Sequence, residues 1–225
     1  MIAIGITTWN QLEHTKACIE SLKNVTIPYQ LIVWDNGSTD GTKEYLQTQI
    51  RESKEFRGAA LFLDIQNSGM VKPWNYQLTE GFSDPEVNNV WICNNDIKFL
   101  KSTQNLEDVK SYGMACPAIL PKDAKGDLEA SAQFYHLLKD SPIEDGNLNG
   151  PIMSISREAY EKVGLFDERL KNSFNDMDYH QRVIKAGMKT CVYNEAWIWH
   201  YGGASTSKNP DCHNKEYLKI FREKH

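Results

Sequence analysis

The sequence predicts an α/β fold in which a mostly parallel central sheet is flanked by helices. Three observations carry the prediction. Apolar, β-branched runs alternate with segments of helical period across residues 1–100. Each run ends in a cluster of small polar residues instead of a two-residue hairpin turn, and a helix rather than a second strand follows. Strands separated by helices are joined by right-handed crossovers and lie parallel, so their polar tips share one rim, which is where open α/β sheets hold ligands.

The first strand covers residues 2–8 and ends in Thr7-Thr8. Asn10 stands three residues before Glu13 and reads as the cap of a helix whose face is marked by Leu12, Cys18, Ile19 and Leu22. Gln30-Leu31-Ile32-Val33-Trp34 is the second strand, and its tip, Asp35-Asn36-Gly37-Ser38-Thr39-Asp40-Gly41-Thr42, leads into a helix carrying Tyr45, Leu46 and Ile50. The third strand, residues 60–65, meets Gln66-Asn67-Ser68-Gly69, and residues 70–82 follow as a helix with Pro73 in its first turn, where a missing N–H breaks no bond. A fourth run, Val90 to Leu100, is interrupted by Asn94-Asn95-Asp96.

Beyond it the pattern shortens. Runs at 114–120, 131–137 and 151–155 read as strands of mixed direction, and the polar stretch from Lys139 to Asn149 as a mobile loop. Arg157 to Val163 is a short helix stopped by Gly164, and Asn175 to Ala186 a longer one stopped by Gly187. Strands at 189–193 and 196–200 end at His200, and the polar tail from Ser205 is expected to be a surface helix. These elements make a single domain over residues 1–205, with a ligand-binding half at 1–100 and a second half at 101–205, followed by a tail at 206–225.

Size and composition bound the function. A chain of 225 residues with 40% hydrophobic, 11% aromatic and 24% charged residues buries a substantial core and is expected to fold unaided. A net charge of −5 offers no general attraction to nucleic acid, so no nucleic-acid partner is expected. No stretch approaches the roughly 20 apolar residues of a membrane span, and Met1 to Ile6 lacks the basic flank of a secretory signal, so the expected location is cytoplasmic. Five cysteines with no Cys-x-x-Cys pair exclude a disulfide framework, and Cys212-His213 lacks the second pair that zinc needs.

The usual nucleotide signatures are missing. Gly-x-Gly-x-x-Gly does not follow the first strand, no Gly-Lys-Ser/Thr occurs, and Asp35 to Leu46 fails the EF-hand pattern at Gly37, Thr39 and Leu46. The rim residues offer other chemistry. Asp35 at a strand tip can accept hydrogen bonds from a nucleobase imide or a ribose hydroxyl, while Asp40 reads as a turn and helix cap. Asp96 is a hard oxygen donor among amides, which suits Mg²⁺ or Mn²⁺ on phosphate oxygens, and His200 adds a nitrogen donor that favours manganese. Turn formation alone also accounts for Asn94-Asn95-Asp96, and an edge histidine for His200. Asp176 opens the long helix, where the helix dipole favours its ionised form and suits it to act as a general base. A helix cap is the plain alternative there. Asp178 and Arg182, at i and i+4, can pair and support that first turn.

Taken in order, these residues resemble GT-A glycosyltransferases of family 2, and among them the bacterial rhamnosyltransferase-like members. The pieces are Ile6-Thr7-Thr8-Trp9-Asn10, Val33 to Thr42 with Asp35, Asn67-Ser68-Gly69 with Asn75, and Asn94-Asn95-Asp96. Val163 to Glu168, Asn175-Asp176-Met177-Asp178 with Arg182, and His200 complete them. The resemblance covers residues 2 to about 205 and implies the GT-A fold. It implies donor or nucleotide contacts from Thr7, Asp35, Asn67, Gly69, Asn75 and Asn95, and a metal site at Asp96 and His200. Asp176 is implied as the catalytic base of an inverting transfer, with Asp178 and Arg182 in support. Two positions depart from the family pattern: Asn94 stands for the first acid of the metal motif, and Asn175 for the Glu before the catalytic aspartate.

The implied activity is transfer of a sugar from a UDP, dTDP or GDP donor to a hydroxyl of a glycan, glycolipid or glycoprotein. Mn²⁺ or Mg²⁺ would be the cofactor, and the enzyme would be cytoplasmic or peripheral at the membrane through its acceptor. Residues 122–149 would help shape the acceptor pocket. A sugar nucleotidyltransferase would carry a glycine-rich amino-terminal loop where this chain has Thr7-Thr8-Trp9-Asn10-Gln11. A non-catalytic sugar-nucleotide or glycan-binding module, with Asn175 marking loss of activity, is the other alternative.

Overall fold

The computed structural model describes residues 1–52, 58–124, 126–137, 139, 141, 143–144, 148, 150–203, 211 and 214–225. Strands β1 (Ile2–Thr8), β2 (Tyr29–Asp35), β3 (Ala60–Leu63) and β4 (Asn89–Asn94) alternate with helices α1 (Leu12–Ser21), α2 (Thr42–Leu46, continued by a π-helical segment Gln47–Glu52) and α3 (Val71–Ser83). They form a parallel block in the order β3-β2-β1-β4, with β1 in register from Ile2↔Tyr29 to Thr8↔Asp35. The chain then turns at Asn95-Asp96 into β5 (Ile97–Phe99) and a 3-10 segment, Lys101–Val109.

The second half supplies β6 (Met114–Leu120), α4 (Leu128–His136), β7 (Ile143–Glu144), β8 (Ile152–Ser156), α5 (Arg157–Val163), α6 (Asn175–Lys185), β9 (Thr190–His200) and α7 (Lys215–Lys224). The described strands continue the sheet as β4-β8-β6-β9-β5, with β7 on β9. Here β8 runs antiparallel to β4 and β6, while β6 and β9 are parallel. The parallel expectation therefore holds among β1–β4, while β5, within the same first 100 residues, pairs antiparallel with β9 and the rest is mixed.

Burial on both faces explains the near-continuous apolar strands. In β1, Ile2, Ile4 and Ile6 pack toward Cys18 and Ile19 of α1 and Leu22 just after it, while Ala3 joins a second core with Trp74, Leu78 and Phe82 of α3 and Tyr179 and Val183 of α6. A third, smaller core gathers Leu100, Leu120, Ala132 and Trp197. Close approach of α3 needs small residues beneath it: a Cβ at Gly81 would lie 2.7 Å from Val90 Cγ2 and 3.0 Å from the Ala3 Cβ.

Three expectations are corrected. Asn10 does not cap α1: Asn10 and Gln11 both take left-handed backbone conformations, the Asn10 side chain accepts a bond from the Thr39 amide instead, and Asp40 accepts from the Leu12 amide. Residues 131–137 are not a strand. Asp127 accepts bonds from the amides of Glu129 and Ala130 and so starts α4, whose Leu128, Ala132 and Tyr135 face the small core at helical spacing. Residues 189–193 and 196–200 are one strand with a bulge, since the register on β6 jumps from Pro117↔Tyr193 to Ala118↔Trp197. The carbonyls of Asn194 and Glu195 in the bulge are taken by Trp197 Nε1 and Asn105 Nδ2. Of the expected loop at 139–149, Ile143–Glu144 forms β7 and most of the rest lies outside the described residues, as does Cys212-His213.

Gly81→Ala tests the packing. Alanine in an exposed helix gains about 1 kcal/mol over glycine, whereas overpacking costs about 1–3 kcal/mol. We predict a net loss of about 1 kcal/mol in denaturant unfolding, and a gain in stability would contradict the close approach.

Candidate active site

The carboxyl ends of the parallel strands open into a cleft of about 800 Å³. Thr7, Thr8 and Trp9 at the end of β1, Asn36 after β2, Asn67 after β3, and Asn94, Asn95 and Asp96 after β4 line it from one side. The second half contributes Asn175, Asp176, Met177 and His200, and α7 adds Lys215 and Leu218.

The loops after β1, β2 and β3 are fastened by side chains. Asp35 is fully buried; its Oδ1 accepts from Thr8 Oγ1 at 3.1 Å and its Oδ2 from the Ser38 amide at 3.1 Å. Asn36 donates to Asn67 Oδ1 at 3.1 Å and to the Gly69 carbonyl at 2.9 Å, and accepts from both the amide and the hydroxyl of Ser68. Gly69 sits at φ 85°, a left-handed conformation that glycine adopts without a Cβ clash, and its amide donates to Asn67 Oδ1. Thr7 Oγ1 accepts from Gln77 Nε2 of α3.

Asp96 and His200 are brought together by strand pairing. Ile97 of β5 is opposite His200 of β9, the Tyr201 amide donates to the Asp96 carbonyl, and His200 Nε2 lies 3.2 Å from Asp96 Oδ1. Asn95 donates to Thr15 Oγ1 at 2.9 Å and to the Asn10 carbonyl, which ties the tip of β4 to α1. The nearby Cys18 thiol is pushed well above its usual pKa by burial and then by the Asp96 charge, so it offers no thiolate. Among the described residues no group of three or more His, Cys, Asp or Glu side chains gathers.

Asp176 lies in the first turn of α6, which follows Phe174 in a left-handed conformation. Asn175 Oδ1 accepts from the Asp176 amide at 2.9 Å, and Asp176 Oδ1 accepts from the Met177 amide at 2.8 Å. The helix start favours the ionised carboxylate; burial raises its pKa above the usual aspartate range, and the Met177 amide offsets part of the rise. Asp178, two residues further on, points away from the cleft with its side chain fully buried and pairs with Arg182 at 2.9 Å.

The cleft therefore collects Thr7, Asn67, Asn95, Asp96, Asp176 and His200. Asp35, Asp178 and Arg182 support the loops and helix that carry them. Gly69 lines an adjoining hollow with Trp9, Lys72 and Lys171. Asn75 faces elsewhere: its Nδ2 donates to the Phe166 carbonyl at 3.0 Å and its Oδ1 accepts from the Phe166 amide at 2.8 Å, so it braces a loop of the second half. Sequence reasoning missed Trp9, Asn36 and Lys215 as cleft residues. Trp9 and Asn36 sit inside motifs already singled out, whereas a lysine in a polar tail carries no signal. Among the described lining residues, Lys215 is the one basic aliphatic side chain beside the acids Asp96 and Asp176.

Residues 3–97 match the family model described as Glycosyl transferase family 2. Over 248 aligned positions the chain is 25% identical to the N-acetylglucosaminyl-diphospho-decaprenol L-rhamnosyltransferase of Mycobacterium tuberculosis, covering 95% of this chain and 80% of that protein. Two solved glycosyltransferases share its fold. Residues 1–349 of S. aureus TarS superpose with a TM-score of 0.67 at 16% identity, covering 99% of this chain and 64% of that one. The mannosyltransferase PcManGT from Pyrobaculum calidifontis, in complex with GDP-Man and Mn²⁺, gives 0.68 at 16% identity, covering 98% and 60%. The chain thus has the GT-A fold and spans about three fifths of each of these two structures.

Asn75→Ala separates bracing from donor contact. It strands a buried amide and a buried carbonyl, each costing about 1–3 kcal/mol. We predict a fall in melting temperature with nucleotide affinity unchanged. A weakened nucleotide titration at unchanged stability would return Asn75 to the donor site.

Proposed function

We propose that this chain, a family 2 glycosyltransferase with the GT-A fold, moves a sugar from a nucleoside-diphosphate donor to an acceptor hydroxyl with inversion at the anomeric carbon. The observation that carries the reading is the placement of the Asp96–His200 pair and of Asp176 on one cleft, at the tips of strands whose loops are built from amides and hydroxyls.

Thr7, Asn36, Asn67 and Asn95 offer the donor hydrogen-bonding groups on the first-half wall, and Asp35 acts through the loop it holds. A carboxylate and an imidazole 3.2 Å apart fit a Mn²⁺ or Mg²⁺ site that substrate oxygens and water complete. Bound there, the cation would offset the negative charge that gathers on the departing nucleoside diphosphate. Asp176 accepts the proton of the acceptor hydroxyl as its oxygen bonds to the anomeric carbon and the bond from that carbon to the diphosphate oxygen breaks. Partial burial favours this role, because a carboxylate with a raised pKa is a stronger base.

The name of the mycobacterial relative supports a diphospholipid-linked sugar as acceptor, which would place the enzyme at a membrane surface. Among the described residues no helix is long and apolar enough to cross a membrane. Within the wider class, the acceptor is a glycan, glycolipid or glycoprotein and the donor a UDP, dTDP or GDP sugar.

Three outcomes are expected. Asp176→Asn should lower turnover about 10²- to 10⁴-fold with nucleoside-diphosphate binding intact, and near-normal turnover would remove Asp176 from the mechanism. Asp96→Ala should abolish the dependence of nucleoside-diphosphate binding on Mn²⁺, measured by titration with and without the metal; identical titrations for variant and wild type would refute the assignment. The base must be ionised, so kcat should fall as pH drops through the Asp176 pKa, at a value above the ordinary roughly 3.9 of aspartate. An acid limb below that value would contradict the burial argument.

A further inference from the structure

The helix that follows the domain is fastened to both flanks of Asp176. On the amino-terminal side, Asp211 accepts bonds from Tyr217 OH of α7 and from Asn172 Nδ2 at 2.6 Å. Next, Phe174 carries φ 61° and ψ 3°, a left-handed conformation that bulky residues avoid, and its side chain makes no cap on α6. Its ring stacks on Phe221 of α7, with centroids 5.5 Å apart and planes at 28°. On the carboxyl-terminal side, Lys224 Nζ lies 2.7 Å from Asp178 Oδ1 and 2.9 Å from Asp167 Oδ2. One ammonium therefore joins α7, the loop after α5 and the first turn of α6.

Asp178 already has Arg182 on its own helix at 2.9 Å. What α7 adds is a fixed angle for the residues between 172 and 178, and Asp176 lies in the middle of that span. Catalysis is sensitive to such placement, since a displacement of about 1 Å can cost roughly 10²-fold in rate.

We infer that α7 is a positioning element for sugar transfer, in which Phe221 holds the left-handed turn at Phe174 and Lys224 holds the first turn of α6, so that the Asp176 carboxylate meets the acceptor hydroxyl. The inference rests on the reading of Asp176 as the base. Phe221 and Lys224 are positioning residues that do not touch substrate.

The test uses Phe221→Ala, Lys224→Met and the conservative Lys224→Arg in the full chain. The donor is whichever of a set of UDP-, GDP-, dTDP- and CDP-sugars gives the fastest Mn²⁺-dependent release of nucleoside diphosphate. We expect kcat to fall by about 10-fold or more in Phe221→Ala and Lys224→Met, with donor KM within about 2-fold of wild type and most of the rate restored in Lys224→Arg. Lys224→Met combined with Asp176→Asn should be no slower than Asp176→Asn alone, because a misplaced base and an absent base are the same defect. Wild-type kcat in both α7 variants, or a double variant slower by the product of the single effects, overturns the inference. A variant that loses kcat only in proportion to its loss of folded protein, read from its melting curve, overturns it as well. Full turnover in Asp176→Asn alone would instead defeat the base assignment, and that single variant reads it separately.

Discussion

The architecture depends on one change of partner. Through Asn94, β4 is clamped between β1 and β8; three residues later β5 begins and, among the described strands, pairs with β9 alone. At that switch Asn94, Asn95 and Asp96 line the cleft. The switch also carries Asp96 out of the strand and delivers it to His200, which arrives from the far end of the chain. Neither residue could be placed by local structure alone, because their separation is set by the Ile97↔His200 register. A one-residue slip of that pairing would turn one of the two side chains to the opposite face.

The rest of the rim is held by short polar side chains that bond to one another and to backbone. Asn36 uses four bonds to join the loops after β2 and β3, Asp35 uses both oxygens to hold its own loop to β1, and Asn95 joins β4 to α1. Preorganised loops of this kind lose little on ligand binding, and the groups that remain at the cleft are already aimed. Burial pushes both acids of α6 upward, but their net shifts are opposite. It raises Asp176, which has only a backbone donor to offset it, while at Asp178 burial is outweighed by Lys224, His225 and Arg182, which hold that carboxyl below the usual range. One turn of helix thus carries a carboxylate suited to take a proton and another suited to hold a charge.

Much of this was legible in the sequence for identifiable reasons. The four parallel strands and three crossover helices followed from β-branched runs broken by polar tips, and Asp96, Asp176 and His200 were found because charged or imidazole groups ended or opened apolar elements. What could not be read depended on distant pairing. The bulge at Asn194 to Ala196 looked like a strand break because its partners, Asn105 and the β6 register, lie far away in sequence. The helical start of α4 was hidden because the short apolar run at 131–137 read as a strand, and its cap, Asp127, stands ahead of that run. Asn75 matched the motif yet spends its amide on Phe166, and Lys215 reaches the cleft from a tail whose composition gave no hint.

The central claim is that one cleft binds a nucleoside-diphosphate sugar together with a divalent cation. Thermal unfolding with UDP-, GDP-, dTDP- and CDP-sugars, each with and without Mn²⁺, tests it most directly. A ligand at 100 times its dissociation constant adds about 2.7 kcal/mol of stability. The account predicts that at least one donor with Mn²⁺ raises the melting temperature by more than the donor alone and the metal alone combined. A melting temperature that no donor shifts in a metal-dependent way would contradict it.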